Sequence, residues 1–149
     1  MSRIGYPIDE AYWRNGDLVQ DFERFDLVQL GGKGGAVVDT LGVDSCALRC
    51  PKTVTSPIVA GGAAMHLPQS HHTLRGDFLQ FWQQHGGLAV FGAPISEEFS
   101  AQNMDASGRS HRMQYFTNAR LEIHPEIRVP RFTVEIGLLG DEAIKHRDW

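Results

Sequence analysis

Three carboxylates and two histidines are the residues in this chain best placed to do chemistry. Glu97-Glu98 and Glu122 could supply the pair of carboxyls that glycoside hydrolysis holds about 5–10 Å apart across a cleft. Glu122-x-His124 sets two side chains on one face of a strand, and His111 across a hairpin would make three ligands for a metal. Each has a structural alternative. Ser96, Glu97 and Glu98 can cap or brace a turn by accepting backbone N–H groups, and Pro-Ile-x-Glu recurs at Pro7–Glu10. His124 can equally be solvated or brace a turn. His71, His72 and His85 have no nucleophile beside them, and Ser70, Ser96 and Ser110 lack a Gly-x-Ser-x-Gly elbow. The structural readings are the simpler ones, so neither a catalytic residue nor a cofactor nor a bound metal is expected.

Two further clusters invite chemical readings. Cys46 and Cys50 are compatible with a small disulfide loop if the local turn brings their Cβ atoms together, and also with free thiols. A zinc site would have to recruit His66, His71 or His72, at least 16 residues downstream of Cys50. The run Gly31-Gly32-Lys33-Gly34-Gly35 lacks the Ser/Thr and the following helix of a phosphate-binding loop and reads as a flexible hairpin turn.

The elements that would hold these residues come in two copies. Ile4-Gly5-Tyr6-Pro7-Ile8-Asp9-Glu10, Val19-Gln20-Asp21-Phe22 and Leu41-Gly42 are echoed by Phe91-Gly92-Ala93-Pro94-Ile95-Ser96-Glu97, Met113-Gln114-Tyr115-Phe116 and Leu139-Gly140. The offset grows from 87 (92 − 5) through 94 (114 − 20) to 98 (140 − 42), as loop insertions between fixed landmarks would produce. Repeated modules commonly supply surface for binding or spacing, whereas a catalytic centre rarely needs to occur twice. Gln20 and Gln114 stand in otherwise apolar strands, where an amide must be satisfied. Each is expected either to face outward or to hydrogen-bond the Gly-x-Pro-Ile turn of its own module. Arg120 is expected to pair with Glu97 or Glu98.

The pattern predicts an α+β protein of two related, β-hairpin-rich modules with one well-defined amphipathic helix packed on the second. Residues 1–42 form a partial module of turn and hairpins, with strands near Glu10–Trp13 and Leu18–Phe22 joined through Asn15-Gly16. A second arm, Asp26–Leu30, and a strand at Ala36–Leu41 follow. Residues 43–70, rich in Pro and Gly, read as a connector with a short strand at Thr53–Val59. Residues 71–149 form the complete module. Its helix spans residues 73–85, capped by Thr73 and closed by Gly86-Gly87, with Leu74, Phe78, Phe81, Trp82 and His85 on one face. A turn through Leu88–Ile95, a hairpin of Gly108–Phe116 and Ala119–His124, a strand at Thr133–Leu138 and a short helix in Asp141–Trp149 complete it. The core is expected from Phe78, Phe81, Trp82, Leu88, Phe91, Ile95, Tyr115 or Phe116, Leu121 and Ile136.

Bulk properties exclude several functions. A formal charge of −4, with basic residues scattered rather than striped among aromatics, gives no nucleic-acid footprint. No apolar run approaches the roughly 20 residues needed to cross a bilayer. No secretory signal is read at the start, where Arg3 is followed by a Gly5-Tyr6-Pro7 turn, though a mature fragment would look the same.

The run His72-Thr73-Leu74-x-Gly76-x-Phe78-Leu79-x-Phe81-Trp82-x-x-His85-Gly86-Gly87-Leu88-x-x-Phe91-Gly92-x-Pro94-Ile95-Ser96-Glu97-Glu98 carries a resemblance. It continues through Gln114-Tyr115-Phe116-x-x-Ala119-Arg120-Leu121-Glu122-x-His124-Pro125-Glu126 to Leu138-Leu139-Gly140. It resembles a module found in multiple copies in secreted or surface proteins of Chloroflexota-type bacteria. It is also similar in logic to the LGFP repeats of actinobacterial cell-wall proteins. The resemblance covers about residues 71–140, and in residues 4–42 only the turn-and-hairpin half. It implies an extracellular or cell-surface location and a non-catalytic binding or spacer role, in contact with envelope polysaccharide or another surface protein. Tyr6, Tyr12, Trp13 and Trp149, outside the expected core, are the candidate glycan contacts. The rival readings are a small envelope-polymer hydrolase using Glu97, Glu98 and Glu122, and a structural subunit of a larger assembly. The sequence leaves the oligomeric state open.

Overall fold

The computed structural model describes residues 4–51, 64–67, 70–102, 109–124 and 134–145, and it is an α+β fold. The first module is an antiparallel meander of β1 (Tyr12–Arg14), β2 (Asp17–Asp21), β3 (Asp26–Gln29) and β4 (Val37–Val38). The β1–β2 hairpin turns through Asn15 and Gly16, both at positive φ (52° and 88°), the conformation an Asn-Gly pair favours. The second module is the meander β7 (Phe99–Gln102), β8 (Ser110–Tyr115), β9 (Arg120–Ile123) and β10 (Val134–Ile136).

The two meanders share one register. Tyr12 opposite Val19 becomes Phe99 opposite Met113; Val28 opposite Val37 becomes Glu122 opposite Glu135. Bonds outside the ladders repeat as well. Glu23 N–H donates to Tyr6 O (3.1 Å) as Thr117 N–H donates to Ala93 O (3.0 Å). Asp39 N–H donates to Asp26 O as Gly137 N–H donates to Arg120 O, both at 2.8 Å. Self-similarity in sequence is therefore self-similarity in backbone pairing.

Each module ends in a helix that begins at its Leu-Gly: α1 (Leu41–Arg49) and α4 (Leu139–Lys145). These helices cross over. At Gly42 a Cβ would lie 1.7 Å from Phe116 O, and at Gly140 one would lie 1.6 Å from Phe22 O. Val43 N–H donates to Thr117 O (3.2 Å), while Gly140 and Asp141 N–H both donate to Glu23 O (3.1 and 3.2 Å). Each helix thus presents its free N-terminal N–H groups to a turn carbonyl of the other module. The same patch is used in both directions, which is the signature of an approximate two-fold relation. Leu41 and Leu139 join Phe99, Met113 and Tyr115 in one apolar cluster, beside the Cys46–Cys50 disulfide that closes the end of α1.

The second module carries an extra layer: a hairpin of β5 (Ala64–Leu67) and β6 (His72–Arg75), then α2 (Gly76–Gln84) and α3 (Gly87–Phe91). Leu74, Phe78 and Trp82 pack with Phe91, Phe116, Leu121 and Ile123 in the main core. Several sequence expectations change here. The helix starts at Gly76, not Thr73, because Gly76 at φ 51° breaks the chain out of a strand that pairs with β5; Thr73 lies in that strand and caps nothing. Leu88–Phe91 is helical rather than a turn, and Leu88 faces solvent at 58% exposure instead of joining the core. Phe81 and Ile95 are only partly buried. α1 crosses the boundary expected at residue 42, and β5 also falls within the residues expected as connector. The strand expected at Thr53–Val59 lies outside the described residues.

Candidate functional site

The Gly-x-Pro turns are built alike. Gly5 and Gly92 sit at positive φ (82° and 76°), and a Cβ there would meet Glu23 Cβ at 2.8 Å and Thr117 Cβ at 2.7 Å. Glycine is required twice over, by conformation and by space. The glutamines lock these turns. Gln114 Nε2 donates to Ser96 O (2.9 Å) and to Thr73 O (3.1 Å), and Gln20 Nε2 donates to Asp9 O (2.5 Å). Of the two sequence alternatives, bonding to the module's own turn is what both side chains do.

The acidic residues are distributed among cations and backbone donors. Glu97 accepts from Thr73 N–H and from His72 Nδ1, both at 3.3 Å. Glu98 is paired with Arg112. Arg120, expected to reach Glu97 or Glu98, instead lies against the opposite group. Its Nε donates to Glu122 Oε1 (2.7 Å), and its terminal nitrogens donate to Glu142 (2.9 and 2.6 Å) and to the Tyr115 hydroxyl (3.1 Å). The physical reason is strand alternation: Arg120 and Glu122 share a face of β9, turned toward α4 and away from the Gly-x-Pro turn. Burial alone would lower the Arg120 pKa. The hydrogen bonds to Glu142 and the charges of Glu122, Tyr115 and Glu142 outweigh it and hold the guanidinium above its ordinary value. A glycosidase acid needs the reverse environment, one that keeps a carboxyl protonated. Glu122 lies instead against a buried guanidinium, with Arg120 Nε 2.7 Å from its Oε1.

The histidines do come together. His111 and His124 stack with ring centroids 4.1 Å apart, and His124 Nε2 lies 2.7 Å from Glu122 Oε2. Among the described residues no group of three His, Cys, Asp or Glu side chains has metal-holding geometry. Both rings are buried, so His124 is not the solvated residue considered from sequence.

Two concavities lie elsewhere among the described residues. One, of about 430 Å³, lies between α1 and α4 over Leu41, Leu48, Leu139 and Ala143, with Ser45 and Glu142 at its polar edge. Ser45 Oγ is 2.8 Å from the Tyr115 hydroxyl and so joins the Arg120 network. The other, of about 250 Å³, runs over the outer face of the first sheet between Leu18, Gln20, Leu27 and Gln29. None of Glu97, Glu98 and Glu122 lines either.

No protein-family model, characterised protein or solved structure matches this chain. Its site must be argued from its own geometry. Tyr6 and Trp13 are exposed, at 70% and 64%. A Cβ on Gly32 would fall 2.3 Å from Trp13 Cη2, so the indole rests on a glycine backbone that no other residue could offer. Tyr12 is half-buried, its hydroxyl donating to Asp21 Oδ1 (3.2 Å), and presents no free platform. Trp149 lies outside the described residues. The sequence missed the partnership of Glu142 with Arg120, whose only signal was an acidic residue in the first turn of the second Leu-Gly helix.

Proposed function

We propose that this chain is a non-catalytic binding and spacer module of a bacterial surface or secreted protein, in contact with envelope glycan or a partner protein. The observation that carries the reading is the use of its reactive-looking groups as braces. Glu97 holds a strand, Glu98 is tied to Arg112, and Glu122 neutralises a buried arginine between modules. The duplicated meander supports it too, since the glycines, the glutamines and the Leu-Gly pairs of the repeat serve turns or inter-module contacts. The Cys46–Cys50 disulfide fits an oxidising compartment. Among the described residues no helix is long and apolar enough to cross a membrane.

The test pairs retention with turnover. The full chain should be retained on purified envelope polysaccharide, more weakly for Trp13→Ala, or should co-purify with a surface protein. It should release no reducing sugar. Release that disappears in Glu122→Gln or Glu97→Gln while folding persists would overturn the proposal in favour of the hydrolase, because loss of proton transfer alone removes about 10²–10⁴-fold of rate.

A further inference from the structure

The repeat relation assigns an occupant to the groove on the first sheet. Moving by the repeat offsets, Gln20, Phe22, Leu27 and Gln29 become Gln114, Phe116, Leu121 and Ile123, and flanking Ala11 and Ala36 become Glu98 and Val134. In the second module Gln114, Phe116, Leu121 and Ile123 are buried under β6 and α2. In the first module all four positions are only half-buried, and Ala11 and Ala36 are exposed. One face is covered and its twin is open.

The covering strand is gripped through the backbone at Thr73, beside the His72 side chain that also reaches Glu97. Thr73 gives its N–H to Glu97 and takes the Gln114 amide on its C=O (3.3 and 3.1 Å). Both grips exist in the first module. Glu10 stands where Glu97 does, exposed, and Gln20 stands where Gln114 does. Gln114 spends its amide on two carbonyls, one in its own turn and one in the strand. Among the described residues Gln20 makes the turn bond and a long 3.4 Å bond to Asp21 O, which a strand carbonyl could replace.

We propose that the outer face of the first sheet docks a strand–helix segment of a partner polypeptide, made as His72–Phe91 is made. An extended residue would be gripped by Glu10 and Gln20 through its own N–H and C=O, in the manner of strand addition. An amphipathic helix with a Leu/Phe/Trp face would then lie over Phe22 and Leu27. The inference rests on the binding-module reading and names the chemistry of its protein partner.

The probe is a synthetic peptide of residues 70–91 added to the intact chain, with calorimetry for stoichiometry and amide chemical shifts for location. The expected result is saturable 1:1 binding with shifts on β2 and β3. Glu10→Lys and Ala36→Arg, both at exposed positions, should each weaken it by about tenfold or more, the scale of one charge-assisted hydrogen bond or one steric block. A peptide with Thr73→Pro, which lacks the gripped N–H, should bind correspondingly less. Failure to bind, binding indifferent to both variants, or shifts on β8 and β9 from exchange into the second module would each overturn the proposal. So would a dimer of the chain, or retention on polysaccharide, that Ala36→Arg abolishes, since a second copy or a glycan would then be the occupant. None of these results requires sugar release, so the binding-module reading stands or falls separately.

Discussion

Replacing Gly140 by Ala tests whether the reciprocal docking holds the two modules together. In an ordinary helix this change stabilises by up to about 1 kcal/mol, because Ala is the better helix former. Here the added Cβ would stand 1.6 Å from Phe22 O, a backbone atom that cannot rotate away. The N-terminus of α4 must therefore lift off its turn. That motion stretches the bonds from Gly140 and Asp141 N–H to Glu23 O, each worth about 1 kcal/mol net. It also loosens the packing around Leu139, with a further cost of about 1–3 kcal/mol from forced backbone shifts. Subtracting the helix gain leaves about 2–4 kcal/mol of destabilisation, or a fall in Tm on the order of 10 °C for a chain this size. Urea unfolding of Gly140→Ala, with Gly35→Ala as a control in open space, measures it. Gly42→Ala should behave alike, since its Cβ would stand 1.7 Å from Phe116 O. The double variant should cost less than the two singles added, because both open one interface. A Gly140→Ala protein as stable as the parent, or more stable, would refute the crossed-helix reasoning by sign and not only by size.

Arg120→Met should destabilise by about 3–5 kcal/mol, because it leaves Glu122 and Glu142 facing each other without their buried cation. Adding Glu142→Leu should recover part of that loss, read as a rise in the urea midpoint. Gln114→Leu should cost about 2–3 kcal/mol by stranding the carbonyls of Ser96 and Thr73, whereas Gln20→Leu should cost about 1 kcal/mol, since only the Asp9 carbonyl loses a short bond. Equal losses at the two glutamines would contradict the difference in covering between the sheets.

The turns and hairpins were legible because they are written in residues with few conformational options. Gly5, Gly92, Pro7, Pro94 and Asn15-Gly16 dictate local backbone, and an offset repeat fixes their order. α1 was not legible: Leu41-Gly42-Val43-Asp44-Ser45 offers a glycine and a β-branched residue in its first turn and no clear apolar stripe. Its stability comes from the Thr117 carbonyl and the Phe99–Met113 cluster, neither of which is local, and from a disulfide whose formation the spacing of Cys46 and Cys50 left open. Thr73 misled for a related reason. A Thr before an apolar run reads as a cap, yet β5 offers that stretch a strand partner, and Gly76 supplies the break three residues later.

The candidate site was partly legible for the same physical reason. Which residues carry charge or amides can be read directly; which cation meets which carboxylate depends on strand faces and on helices that return from far along the chain. Arg120 and Glu97 share a module and looked like partners, but β9 turns Arg120 toward α4, where Glu142 waits. Duplication explains why the two sheets nevertheless diverged. Both copies possess a Leu-Gly helix whose first turn docks on a turn carbonyl of the other copy. The outer faces depend on a strand–helix layer that, among the described residues, only the second copy carries. Where that layer is present, Gln114 and Leu121 are sealed and the glutamine must satisfy two carbonyls. Where it is missing, Gln20 and Leu27 stay half-open while the Glu10 and Gln20 pair remains in place. Retaining both grips on a face that, among the described residues, no strand–helix layer covers is what marks that surface, rather than the acidic cluster, as the part of this molecule addressed to something else.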